Sequence, residues 1–127
     1  MTMAENIRYL RLKHGLTQEQ LGEVIGVQKS AIRKYESGMV ENIPRSSIVK
    51  MAEIFGVSPA YLMGWQENTP VERDLDEGKR LWLKIYDEAN EETKELFVKM
   101  INDFEKLPVD ERRFLLSVIR LKLDGRK

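Results

Sequence analysis

Side chains able to do covalent or metal chemistry are scarce in this chain. It has no Cys, which excludes disulfides and thiolate metal sites and permits a reducing compartment. Its one His, His14, cannot supply a multi-histidine metal site or a histidine-based triad on a single chain. What the residues can do is hydrogen-bond and carry charge. The most informative place for that is the stretch QEQLGEVIGVQKSAIRKY from Gln18 to Tyr35, in which amides, a hydroxyl and cations alternate with apolar Leu21, Ile25, Ile32 and Tyr35.

Such polar groups need rigid supports, and the same stretch encodes them. One amphipathic pattern breaks at Gly26 and a second begins, the arrangement required by two short helices crossing steeply through a tight turn, a helix-turn-helix. Gly26 can take a positive φ at the end of the first helix, which few other residues do cheaply. Gly22 costs its helix about 1 kcal/mol relative to Ala. Its presence points to close approach of the second helix, with no room for a larger side chain.

A chain of 127 residues is one domain by length, or one small domain plus an appendage. It has no run of about 18 apolar residues and no signal-peptide pattern from Met1 to Ala4, so the expectation is a soluble, cytoplasmic protein with no membrane partner. The 21 basic and 21 acidic residues cancel. Residues 1 to 64 carry eight Lys and Arg against six Asp and Glu, whereas residues 65 to 127 carry thirteen against fifteen. So small an excess does not by itself indicate a nucleic-acid partner.

The element pattern is all-α. Ile7, Leu10 and Leu12 among charged residues predict a helix over about 3 to 13, ended by His14-Gly15 in a helix-ending turn. Thr17 stands as N-cap for a second helix, about 18 to 25. A third runs from about Gln28 to Glu36 and stops at Ser37-Gly38. Pro44 suits the start of a fourth, which turns Ile48, Met51, Ala52 and Phe55 inward and ends at Gly56. Ser58-Pro59 opens a short fifth helix that ends near Gly64. Residues 1–65 thus form one five-helix domain.

Residues 66–78 are polar and acidic with Pro70 inside them, and read as a linker or a loose helix start. The C-terminal region, 79–127, is again helical. Leu81, Trp82, Ile85, Tyr86 and Ala89 mark one helix. Asn90 caps a second with the stripe Leu96, Phe97, Met100, Ile101, Phe104 and Leu107, ended by Pro108. A last helix from Asp110 carries Phe114, Leu115, Leu116, Val118, Ile119, Leu121 and Leu123, which wrap most of the way round it. About 50 residues hold little core with which to cover such a helix, and a second copy of the chain is the simplest cover. The dimer residues expected are Leu96, Met100, Phe104, Phe114, Leu115, Val118 and Ile119. Trp65 and Trp82 could stack a ligand, but each adjoins apolar helical positions and core or interface packing is favoured.

The strings GLTQEQLGEVIGVQKSAIRKYESG, Gly15 to Gly38, and FGVSPAYLMGW, Phe55 to Trp65, resemble the Cro and lambda-repressor-like helix-turn-helix regulators, the XRE family. The resemblance covers about residues 5 to 65, half of the chain, and implies a five-helix DNA-binding domain whose third helix enters the major groove of double-stranded DNA. Carried over by position, it implies base contacts from Gln28, Lys29, Ser30, Arg33 and Lys34. Lys and Arg suit guanine O6 and N7, and Gln suits adenine. Phosphate contacts are implied for Gln18, Thr17, Arg11, Ser37, Arg45 and Ser46, with Gln18 also bracing the third helix and Arg11 and Glu36 tying the first helix to its end. The loop before Arg45 departs from the shortest family members and carries Glu41 where a basic residue would help.

The expected protein is therefore a homodimeric repressor of transcription from an inverted-repeat operator, of phage or mobile-element type, with no cofactor and no metal. An antirepressor, a protease or a toxin is a possible further partner. The rival reading is an antitoxin-type autoregulator whose C-terminal helices bind a toxin, against which stands the strong apolar periodicity of residues 81 to 123. A self-cleaving repressor, an enzyme, needs a Ser/Lys dyad in a β-rich domain. Ser117 in a greasy helix does not supply one.

Overall fold

Short polar side chains start four of the helices by capping otherwise unpaired backbone N–H groups. Thr2 Oγ1 accepts from Glu5 N at 3.2 Å while Glu5 Oε1 accepts from Thr2 N at 3.1 Å. Thr17 and Gln20 make the same reciprocal pair at 3.0 and 2.9 Å. Ser58 Oγ accepts from Tyr61 N, and Asn90 Oδ1 from Thr93 N. In the computed structural model the helices run α1 Met3–Lys13, α2 Gln18–Ile25, α3 Lys29–Ser37, α4 Arg45–Phe55, α5 Pro59–Leu62, α6 Pro70–Glu88, α7 Glu91–Glu105 and α8 Val109–Asp124. The structure describes residues 1–39, 42–65 and 70–124, leaving out the side chains at 70–72, 74, 119, 120 and 122–124. Among the described residues there is no strand, so the fold is all-α.

The chain divides into two units, Met1–Glu67 and Asn68–Lys127. In the first, Ile7, Leu21, Ile32, Met51 and Leu62 are fully buried, one from each of α1 to α5. Each short helix thus owes its stability to a shared core and not to its own propensity. Asn6 is buried beside them, and its Nδ2 donates to Tyr61 O at 3.1 Å and Leu62 O at 3.2 Å. These two bonds satisfy carbonyls at the end of α5 and clamp it to α1.

Gly26 ends α2 at φ 79°, and the next N–H, that of Val27, bonds Gly22 O at 2.8 Å. Gly22 is required for a different reason from the one expected. A Cβ there would lie 2.7 Å from Val27 O, so the turn's own backbone, ahead of α3, is what approaches it. The turn folds back over α2 before the third helix begins.

Other expectations are refined at the helix boundaries and at Trp65. Gln28 is the N-cap of α3 and not its first residue, and Pro44 likewise caps α4. The acidic stretch over 66–78, read as a linker or a loose helix start, is helical from Pro70 onward, so the second of these holds there. Pro fits the first helical position and carboxylates favour the positive end of a helix dipole, so composition that resembles a linker also suits a helix start. Trp65 is 73% exposed and not packed in the core.

In the second unit α6 packs against both α7 and α8. Trp82 is buried, its Nε1 donates to Phe97 O at 3.1 Å, and its ring stacks on Tyr86 with centroids 5.2 Å apart. Gly78 lets α8 come close, since a Cβ there would lie 2.8 Å from Leu116 Cδ2.

Replacing Gly22 by Ala raises helix propensity by about 1 kcal/mol but drives a methyl into a carbonyl that belongs to backbone. The expected outcome is net destabilisation of about 1–3 kcal/mol, read as a lower urea midpoint by circular dichroism. A variant at least as stable as the parent would show that the turn can yield.

Candidate nucleic-acid interface

α3 has two contrasting sides. Ile32 and Tyr35 are buried, whereas Lys29, Ser30, Arg33, Lys34 and Ser37 are exposed, with exposed Gln28 at the cap. Ser30, Arg33, Lys34 and Ser37 follow the spacing i, i+3, i+4, i+7, which places them on one face. The five residues expected at bases are therefore brought together on one helix start and its outer face.

The end of α3 is held by charge. Arg11 Nε donates to Glu36 Oε2 at 2.6 Å and Arg11 Nη2 to Glu36 Oε1 at 2.9 Å. Arg11 Nη1 donates to Leu16 O at 2.9 Å. Gln18 Nε2 reaches Glu36 Oε1 at 3.4 Å, so the expected brace from α2 is present. Both side chains of the ion pair are nearly excluded from water, at 10% and 4% exposure. Arg11 is thus nearly buried with all three guanidinium nitrogens engaged, which makes its first role the tie between α1 and α3, and one N–H on each terminal nitrogen is not used by these bonds.

The other residues expected at phosphates lie at helix ends. Thr17 Oγ1 is used in its capping pair, and the N–H groups of Gln18 and Glu19 at that helix mouth have no intrahelical acceptor. Ser37 Oγ donates to Lys34 O at 2.8 Å and accepts from Met39 N at 3.3 Å, bracing the end of α3. Arg45 and Ser46 are exposed in the first turn of α4, which has no side-chain cap. A helix start of this kind attracts anions through its free N–H groups and dipole. Glu41 in the preceding loop lies outside the described residues.

Residues 7–62 match the helix-turn-helix family. Over those residues the chain is similar to helix-turn-helix domains of the XRE type. Over 60 residues, 47% of the chain, the sequence is 38% identical to the uncharacterized HTH-type transcriptional regulator YobD of Bacillus subtilis (strain 168), and this match spans 53% of that relative. The chain thus covers about half the length of the curated relative. The crystal structure of a transcriptional regulator from Listeria innocua is similar over 82% of this chain and 92% of its own, with 24% identity and a TM-score of 0.49.

Two residues that support the helix-turn-helix domain escape a reading of the sequence. Lys50 Nζ donates to Ile25 O at 3.4 Å, placing a cation at the negative end of α2. Nothing distinguishes it in sequence from a solvated lysine. Asn6 carries a signal, since it shares a helical stripe with Tyr9 and Leu10 and is polar in an apolar register. His14 closes α1, with Nδ1 2.8 Å from Leu10 O and its ring 5.3 Å from that of Phe55.

Of the residues expected in a dimer, Leu96, Met100, Phe114, Leu115 and Val118 are exposed. Phe104 is half-buried and, with Met100, lines an apolar cleft between α6, α7 and α8. The side chain of Ile119 lies outside the described residues. Ser117 Oγ donates back to Arg113 O at 2.9 Å within α8. No helix among the described residues is long and apolar enough to cross a membrane.

Removing one partner of a buried ion pair strands the other without compensation. Glu36→Ala is expected to cost about 3 kcal/mol, measured by urea denaturation. A loss below about 1 kcal/mol, the scale of a surface pair, would show that water already reaches Arg11.

Proposed function

We propose that the protein is a homodimeric, sequence-specific DNA-binding regulator of transcription, acting as a repressor on an inverted-repeat operator. The observation that carries this reading is α3: its apolar side is sunk in the core while Lys29, Ser30, Arg33 and Lys34 stand outside on a helix pinned at its far end by Glu36. A helix so mounted can enter a major groove about 12 Å wide. Lys29, Arg33 and Lys34 then donate to guanine O6 and N7, Gln28 pairs with adenine, and Ser30 serves either. Gln18, Thr17, Ser37, Arg45 and Ser46 fix the register through phosphates, and Arg11 acts from inside as a positioning residue. The name of the Bacillus subtilis relative, an HTH-type transcriptional regulator, agrees with this assignment.

The second unit supplies the pairing. Exposed Leu96, Met100, Phe114, Leu115 and Val118 form apolar surface of the kind that marks an association site. Two-fold symmetry then sets half-site centres one helical turn, about 34 Å, or a multiple of it, apart. Affinity falls steeply with salt, because neutralised phosphates release counterions.

Selection of bound sites from random duplex DNA identifies the operator and its symmetry. On that operator Lys29→Ala and Arg33→Ala are each expected to weaken binding by about 1–3 kcal/mol, read by fluorescence anisotropy. Unchanged affinity in both variants removes α3 from the groove.

A further inference from the structure

We propose that the cleft enclosed by α6, α7 and α8 is a binding site for a small, neutral, apolar molecule of the size of one substituted benzene ring. The site lies within the second unit, and it goes beyond the DNA-binding reading without resting on it. The cleft holds about 110 Å³ and is walled by Leu81, Trp82 and Ile85 from α6, Phe97 and Phe104 from α7, and Leu116 from α8. Trp82 and Leu116 are buried, whereas the other four are half-buried, so a closed floor leads to a partly open mouth. Met100 lines the cleft yet is 59% exposed, which sets it at that mouth. Its flexible thioether can adjust to what enters. Gly78 adds no side chain to fill the space, and cannot be exchanged for a residue that does, because a Cβ there would lie 2.8 Å from Leu116 Cδ2.

The chemistry of the walls selects the occupant. A water held inside needs two to four polar partners, and the polar group that the wall offers, the indole N–H of Trp82, already donates to Phe97 O at 3.1 Å. A charged molecule would give up its hydration with nothing to replace it. A peptide segment would strand its N–H and C=O groups for the same reason, and drug-sized ligands need about 300 Å³ or more. What fits is neutral and carries one ring or its equivalent in alkyl carbon. An apolar cavity of about 150 Å³ lined by Leu, Ile and Phe stays dry and takes benzene or xenon, and this cleft is of that order and that lining. The rings of Trp82, Phe97 and Phe104 favour an aromatic guest, since edge-to-face contacts add to the gain from burial.

Titration of the full chain with toluene tests this. A Trp65→Phe background leaves Trp82 as the reporting tryptophan, and Trp65 is exposed in the other unit. The expected result is a saturable change in Trp82 fluorescence with a Kd of about 0.1–1 mM. Benzylammonium, similar in size but charged, is expected to bind at least about tenfold more weakly. Ile85→Phe, which fills the cleft from α6, is expected to weaken toluene by about tenfold or more with helicity by circular dichroism unaltered. Should that variant lose helicity, Met100→Phe makes the same test from the exposed mouth. No saturable change up to the solubility limit of toluene overturns the site, as does equal binding of benzylammonium or toluene binding untouched in the filled variants. Binding that appears only when the chain is diluted would show the cleft taken by a second copy, and overturns it too.

Discussion

The buried fork between Arg11 and Glu36 is the constraint on which the N-terminal unit depends. It joins α1 to the last turn of α3, and through Leu16 O and Gln18 it also holds the start of α2. A buried ion pair contributes little net stability, since desolvating both charges offsets most of their attraction. Its value here is directional. Ile32 and Tyr35 alone give α3 a narrow apolar seat on which a short helix could roll, whereas a bidentate guanidinium–carboxylate contact tolerates only one orientation. Rotation of α3 about its own axis decides where Arg33 and Lys34 point, so the fork sets the aim of residues it never touches.

The turn provides the second half of that mounting. A nine-residue helix with two buried side chains is not stable on its own in water. It forms because the chain leaves α2 in a single direction, set by the left-handed Gly26 and by the Val27 carbonyl packed on bare Gly22. With its inner side fixed in this way, the outer face of α3 is released from any duty in folding. Its polar residues can follow the needs of a partner instead, which is why they differ in type and share no periodic apolar content.

How much of this is legible in the sequence depends on whether a feature is local. Thr17, Asn90 and Ser58 announce their helices because capping acts over three residues, and Gly26 announces its turn for the same reason. The closeness at Gly22 is also legible, although which atoms approach it is not, because a missing Cβ records contact without identity. Arg11 is harder. Its pairing with Glu36 follows from the family resemblance, yet burial is a property of the assembled core, and an arginine placed between Leu10 and Leu12 could equally have faced solvent. Lys50 and the partner atoms of Asn6 lie tens of residues away along the chain and leave no trace in local pattern. The stretch from Pro70 stays ambiguous in sequence for a physical reason: proline and acidic residues serve a helix N-terminus and a linker equally well, and only the apolar spacing further along separates them.

Zero net charge fits a DNA partner once screening is considered. At physiological ionic strength fields decay over about 8 Å, so a phosphate approaching α3 feels chiefly the exposed Lys29, Arg33 and Lys34 and not the sum of charge over the chain. Cancellation over the whole chain still matters at long range, where it weakens the sequence-independent attraction that makes basic proteins adhere to any duplex. On the proposed function, a regulator built this way depends on its hydrogen bonds to bases for a larger share of its affinity than a uniformly basic one does. A mismatch at any one base would then cost discrimination and occupancy together, so under that proposal the precision with which Glu36 and the Gly22–Gly26 turn hold α3 bears directly on how well a correct site is distinguished from other duplex.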